Sequence, residues 1–84
     1  MFLELEIVLA DKLFAEALSL AQQIMQDHPE DAGVINESLY LSAKAYYGLD
    51  DTEQAISILR GLMAHDSGYR DISVLIADWE SELF

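Results

Sequence analysis

The 84-residue chain contains no cysteine, one proline and only four glycines. The lack of cysteine excludes disulfides, thiolate catalysis and metal sites built on cysteine, and it fits a reducing compartment such as the cytoplasm. No stretch approaches the roughly 20 apolar residues of a membrane-spanning helix. The first ten residues contain no Lys or Arg, so they lack the basic start of a secretory signal. These absences predict a soluble, cytoplasmic protein, and 84 residues are enough for one small domain only.

Basic residues are scarce as well. Four Lys and Arg stand against sixteen Asp and Glu, which gives a formal net charge of −12. Such a charge repels phosphate backbones and anionic lipid surfaces, so we expect neither a nucleic-acid partner nor a membrane partner. Two explanations of the acidic surface stay open. It provides solubility alone, or it steers a partner with a basic surface towards the protein.

Apolar residues make up 52% of the chain and recur at intervals of three and four residues, which predicts amphipathic helices. The predicted helices cover residues 2–10, 13–25, 34–47, 52–64 and 71–83. Pro29 separates the second helix from the third, Gly48 suits a helix C-terminus, and Asp51 or Thr52 suits the next N-cap. In the last helix we expect these apolar side chains to be buried: Ile72, Leu75, Ile76, Trp79 (in part) and Leu83.

One pattern occurs twice, as EALSLAQQIM at residues 16–25 and as QAISILRGLM at residues 54–63. At this offset of 38 residues Ala17 aligns with Ala55, and one helical hairpin aligns with the next. A repeated hairpin of this length predicts a helical solenoid. Ala17 and Ala55 are expected where two helices cross closely, since a larger side chain would push the helices apart.

The residues at key places of both units resemble the tetratricopeptide repeat family. In the first unit they are Leu5, Val8, Ala17, Ala21, Ile24 and Pro29, and in the second Leu39, Ala43, Tyr46, Ala55, Leu59 and Leu62. Lys12 and Asp50 replace the family's turn glycine, and Ser67 replaces its closing proline. The 38-residue period exceeds the family's 34, so either the loop after Pro29 is extended or the third helix begins early.

This resemblance implies an all-α fold of about five helices, in which antiparallel hairpins stack as a short right-handed superhelix. We expect one domain over residues 1–84, with a first unit at about 1–31, a second at about 34–67 and a capping helix at about 70–83. Gly61 lies inside a predicted helix at a cost of roughly 1 kcal/mol, which a close helix crossing would explain.

The resemblance also implies a function, since the first helix of each hairpin in this family lines a groove for a peptide or helix of another protein. The residues carried over to that groove are Phe2, Glu6, Leu9, Glu37, Tyr40, Lys44, Tyr47, Val74 and Asp78. One lysine among acids argues against the subgroup that grips a C-terminal carboxylate, so we expect a ligand with apolar anchors and basic flanks. Packing roles for Phe2, Tyr40 and Tyr47 are the alternative, and Phe84 is expected to leave some apolar surface exposed.

No arrangement of residues points to catalysis, a metal or a cofactor. His28 and His65 each adjoin an aspartate, but a histidine near a helix C-terminus is favourable without any catalytic role. The acidic loops lack the spacing of a calcium-binding loop. We therefore expect a non-catalytic adaptor or small chaperone. The alternatives are a self-associating repeat or fragment of a longer array, an acidic mimic of nucleic acid and, least favoured, an enzyme.

Overall fold

A computed structural model describes residues 2–66 and 68–83, and these residues form five α-helices. The helices are α1 (Leu3–Ala10), α2 (Phe14–Asp27), α3 (Ala32–Gly48), α4 (Thr52–His65) and α5 (Ile72–Leu83). The all-α prediction and the number of helices are confirmed. Within the described ranges, every helix is too short or too polar to cross a membrane. The predictions made for Ser67 and Phe84 lie outside the described residues.

Helix α3 is the centre of the molecule, with α2 and α4 packed against it and α1 touching it more lightly. Each helix also contacts the next along the chain, as short connections require. The core takes side chains from all five helices, among them Leu5, Ala21, Leu59 and Ile72. The helices therefore stack as successive hairpins, in agreement with the predicted repeat architecture.

Several small residues of the helices are buried in the core. Ala17 is 1% exposed, and both Ala43 and Ala55 are fully buried. Ala17 and Ala55 are thus buried, as a close helix crossing requires, and the crossing itself stays a prediction. The division of the chain into units at about 1–31 and 34–67 stays a prediction.

Helix α5 buries less of its surface than the sequence suggested. Ile72, Ile76 and Trp79 are buried, Leu75 is half-buried, but Leu83 is 42% exposed. The prediction that Leu83 is buried was wrong, because α4 is the one described helix whose backbone packs against α5, and it leaves Leu83 largely uncovered.

The 38-residue repeat extends to the backbone. Helices α2 and α4 begin and end 38 residues apart, and the turns before them contain left-handed residues at equivalent places, Lys12 with φ 62° and Asp50 with φ 65°. Because glycine adopts such angles without strain, the positive φ explains why the family prefers glycine at this turn.

The long period comes from α3, which is 17 residues long and starts at Ala32 after the connection 28–31. The Asp31 side chain caps it by accepting a hydrogen bond from the Val34 N–H at 3.2 Å. Of the two explanations for the long period, the early start of the third helix is therefore the correct one, and the loop after Pro29 is not extended.

The structure corrects the explanation for Gly61. A Cβ atom added there would meet nothing within 4 Å, so no close helix crossing accounts for this glycine. The close approach is at Gly48 instead, where an added Cβ would lie 2.3 Å from the Phe14 ring. Gly48 thus lets the end of α3 pack against the start of α2.

Candidate functional site: a groove across the first, third and fifth helices

The nine residues predicted to line a groove lie on or next to α1, α3 and α5, and their exposure differs widely. Four are exposed, namely Glu6, Lys44, Val74 and Asp78. Four are half-buried, namely Phe2, Leu9, Glu37 and Tyr47. Tyr40 is only 2% exposed, so it offers almost no area to a ligand.

Three of the predicted residues meet at one pocket of about 380 Å³, here called the groove pocket. Its lining consists of Glu6, Leu9, Ala10, Phe14, Leu41, Lys44 and Arg70. The walls come from the end of α1, the start of α2, the middle of α3 and the connection between α4 and α5. The pocket therefore combines apolar walls with one acidic and two basic side chains.

Tyr40 is covered by residues 69–71, which lie against α3. The Lys44 Nζ lies 4.7 Å and the Arg70 guanidinium carbon 4.8 Å from the centre of the Tyr40 ring. The Tyr40 hydroxyl donates a hydrogen bond of 2.6 Å to Asp71 Oδ1, which lowers the pKa of that carboxyl. Tyr40 is thus a packing residue that positions two cations, in accord with the alternative role considered for it.

Glu37 is tied to the same connection from the other side. Its carboxylate accepts a hydrogen bond from the Tyr69 hydroxyl and forms an ion pair of 3.1 Å with Arg70 Nη2. Burial, together with the hydrogen bond to Glu37, raises the pKa of Tyr69 to about 12. The Tyr69 ring meets the Tyr40 ring edge-on, with 6.0 Å between centroids.

The connection residues Tyr69, Arg70 and Asp71 were not among the predicted site residues. Asp71 could have been found as a residue suited to the N-cap position before α5. No periodic pattern marks Tyr69 or Arg70, because they lie between helices and act through contacts with residues more than 30 positions away in the chain.

Tyr47 lies further along α3 and belongs to a second aromatic contact. Its ring stacks on Trp79, with 4.6 Å between centroids and 10° between planes. Its hydroxyl donates a hydrogen bond of 2.7 Å to Glu82 Oε1, and this bond together with burial raises the pKa of Tyr47. Trp79 is 5% exposed and therefore more buried than the sequence suggested. Most of the accessible surface of this aromatic pair belongs to half-buried Tyr47.

A comparison with protein-family models matches residues 8–78 to the tetratricopeptide repeat. The chain belongs to the tetratricopeptide repeat family. Members of this family are generally non-catalytic modules for protein–protein interaction. No curated protein and no solved structure matches the chain significantly.

Two of the four basic residues of this tetratricopeptide repeat chain, Lys44 and Arg70, lie beside the groove pocket. The acidic residue Glu6 lies on α1, and the acidic residues Asp78 and Glu82 lie on α5. Lys44 and Arg70 can donate hydrogen bonds to a carbonyl or carboxylate oxygen of a ligand. The acidic residues can attract basic side chains of the ligand.

Proposed function

We propose that the chain is a non-catalytic adaptor or small chaperone that binds a peptide or helix of another protein across α1, α3 and α5. The observation that carries this proposal is the groove pocket, whose apolar walls and two cations lie between the end of α1 and the middle of α3, two of the helices that the family uses for ligands. Only part of the predicted lining is available to a ligand, since Tyr40 is buried and contacts Lys44 and Arg70 instead.

The chemistry of the pocket defines the ligand. An apolar side chain would fill the space between Leu9, Leu41 and Phe14, where contact with water is already reduced. An oxygen atom of the ligand would accept hydrogen bonds from Lys44 and Arg70. Basic residues on either side of the anchor would approach Glu6 and Asp78, and the net charge of −12 would speed the encounter.

Titration of the ¹⁵N-labelled protein with short peptides that carry one apolar anchor and basic flanks tests this proposal. We expect amide shifts around Leu9, Lys44 and Arg70. Peptides with an acidic flank should bind at least tenfold more weakly at low salt, because their charges are repelled.

The matched variants are Lys44→Gln and Lys12→Gln, which remove the same charge inside and outside the groove pocket. We expect Lys44→Gln to weaken binding about threefold to tenfold, as the loss of one exposed charge–oxygen contact does, and Lys12→Gln to leave it unchanged. Equal effects of the two variants, or shifts confined to other surfaces, would contradict the proposal.

A further inference from the structure

The internal repeat lets each position in the first hairpin be compared with a counterpart in the second. Helix α1 aligns with the last eight residues of α3, and α2 aligns with α4, at the same offset of 38. The turn hydrogen bonds repeat too, since the Leu13 N–H donates to the Val8 carbonyl at 3.1 Å and the Asp51 N–H to the Tyr46 carbonyl at 2.9 Å. The second hairpin is preceded by α2, which packs against it. Its surroundings therefore show which contacts a helix placed before α1 would make with the first hairpin.

Helices α1 and α2 form an open groove of about 410 Å³, here called the N-terminal groove, which is distinct from the groove pocket. Its lining is Glu4, Val8, Ala15, Glu16, Ser19, Leu20 and Gln23. Four of these residues have counterparts in a groove of about 300 Å³ between α3 and α4, namely Ser42, Tyr46, Gln54 and Ile58.

The two grooves differ in one wall. The groove between α3 and α4 is bounded on its third side by α2, through Leu18, Gln22 and Met25. Among residues 2–66 and 68–83, the lining of the N-terminal groove comes from α1 and α2. In the groove between α3 and α4 this third side is formed by α2. The equivalent place beside the N-terminal groove would be filled by a helix packed against α1 in the way that α2 packs against α3.

The outer face of α1 lacks the same neighbour. Leu3 is 68% and Ile7 is 53% exposed, whereas their counterparts Leu41 and Ala45 are 4% and 0% exposed. The corresponding face of α3 lies against the first hairpin, since an added Cβ at Gly48 would touch Phe14. Apolar residues one helical turn apart on a solvent-facing side are typical of a face that packs against another helix.

We propose that the N-terminal groove, together with Leu3 and Ile7, binds an amphipathic helix of a partner protein, packed against α1 as α2 packs against α3. The bound helix carries apolar residues where α2 has Leu18 and Met25. It carries a basic residue where α2 has Gln22.

The basic residue follows from a difference in charge between the two grooves. Neutral Ser42 and Gln54 lie near Gln22 in the second groove, but their counterparts in the N-terminal groove are the acids Glu4 and Glu16. A helix with a neutral residue there would leave two carboxylates without a counter-charge near an apolar contact, which is unfavourable. A Lys or Arg supplies that charge.

A second copy of this chain does not fit the role. The two helices of the required kind, α2 and α4, each already lie between two neighbours, α2 between α1 and α3 and α4 between α3 and α5. Each copy also carries a net charge of −12, so approach of two acidic grooves is opposed. Of these two occupants, the acidic lining therefore favours a helix of a different, more basic polypeptide.

The probe is a peptide with the sequence of α2, residues 14–27, in which Gln22 is replaced. A lactam bridge between positions 19 and 23, away from the packing side, keeps it helical. We expect the peptide with Gln22→Lys to bind the full chain and to shift amides of residues 3–10 and 15–23. The peptide with Gln22→Glu should bind at least tenfold more weakly.

Variants of the protein separate charge from packing. The double variant Glu4→Gln with Glu16→Gln should reduce the preference for the Lys peptide over the Glu peptide to less than twofold. Leu3→Ser should weaken binding about fivefold to tenfold, and Leu83→Ser, the same change at an exposed leucine on the last helix, should leave it unchanged.

Three results would overturn the proposal: no binding of the Lys peptide at millimolar concentration, equal binding of the two peptides, or shifts centred on α3, which would mean that the peptide displaces α2. Sedimentation of the chain alone tests whether a second copy occupies the N-terminal groove. A dimer that Leu3→Ser abolishes would assign this face to a second copy and would also contradict the proposal, whereas a monomer supports it.

Discussion

Two glycines in helices of this chain have opposite surroundings, and the difference decides what a methyl group would do at each. Gly61 is exposed and has open space around it, so it costs helix stability without a packing benefit. Gly48 faces the ring of Phe14 at a distance that leaves no room for a Cβ atom. Only one of the two is required by the fold.

We expect Gly61→Ala to raise the free energy of unfolding by about 1 kcal/mol, because alanine loses less backbone entropy on helix formation. Gly48→Ala is the matched control and should lower it by roughly 1–3 kcal/mol, since the Phe14 ring has to move. Urea unfolding followed by circular dichroism measures both. A destabilising Gly61→Ala would show that this glycine has a role that the contacts do not reveal.

Lys12 and Asp50 occupy equivalent left-handed turn positions, but aspartate tolerates positive φ better than lysine does. We therefore expect Lys12→Gly to stabilise the fold by about 0.5 kcal/mol, with a smaller effect for Asp50→Gly. Lys12→Ala serves as the control, since alanine is strained at this φ and should bring no gain. The same unfolding measurement ranks the three variants, and a gain from Lys12→Ala would contradict the strain argument.

At the scale of the elements, residues 69–71 are held to α3 by hydrogen bonds from tyrosine hydroxyls together with the edge-on contact between the Tyr69 and Tyr40 rings. Asp71 accepts from Tyr40, and Tyr69 donates to Glu37. This attachment sets where α5 begins and brings Arg70 to the groove pocket. The connection is thus part of the proposed site, although it contains none of the residues predicted for it.

The raised pKa of Tyr69 makes this attachment sensitive to alkali. Its pKa is about 12 in the fold and 10.0 when unperturbed, so the unfolded chain releases the proton first as the pH rises. The stabilisation is complete below about pH 10 and is lost as the pH approaches 12. We expect the free energy of unfolding to fall over this interval.

Stability measured against pH in the wild type and in Tyr69→Phe checks the assignment. The variant cannot ionise at this position, so the part of the alkaline decline that Tyr69 causes should disappear. The part caused by Tyr47, whose pKa is also raised, should remain. An unchanged alkaline decline in Tyr69→Phe would mean that the hydroxyl is not held in the fold as described.

At the scale of the whole molecule, the net charge of −12 acts on the compact state as repulsion between like charges. The ion pairs Arg60–Glu80 and Arg70–Glu37 offset only a small part of it, since both arginines are about half exposed. Stability should therefore depend on ionic strength more than it does in a neutral protein of this size.

We expect sodium chloride to raise the midpoint of thermal unfolding by several degrees between about 0.02 and 0.5 M, because the Debye length falls from roughly 20 Å to below 5 Å. Circular dichroism during heating measures the shift. Binding of a basic peptide should weaken over the same range, which controls for a general effect of salt on folding. A midpoint that falls with salt would show that attractive ion pairs dominate.

The sequence by itself determined the five helices, the repeat and the family, because apolar periodicity, caps and turn residues act within a few positions of one another. It also placed Ala17 and Ala55 in the core, since the repeat aligned them. Tertiary structure alone decided that Tyr40 is buried, that Arg70 joins the pocket and that Gly48 rather than Gly61 is the tight contact. Each of these depends on contacts between residues far apart in the chain, such as Tyr40 and Asp71, which are separated by 31 positions. The local sequence pattern does not predict such contacts.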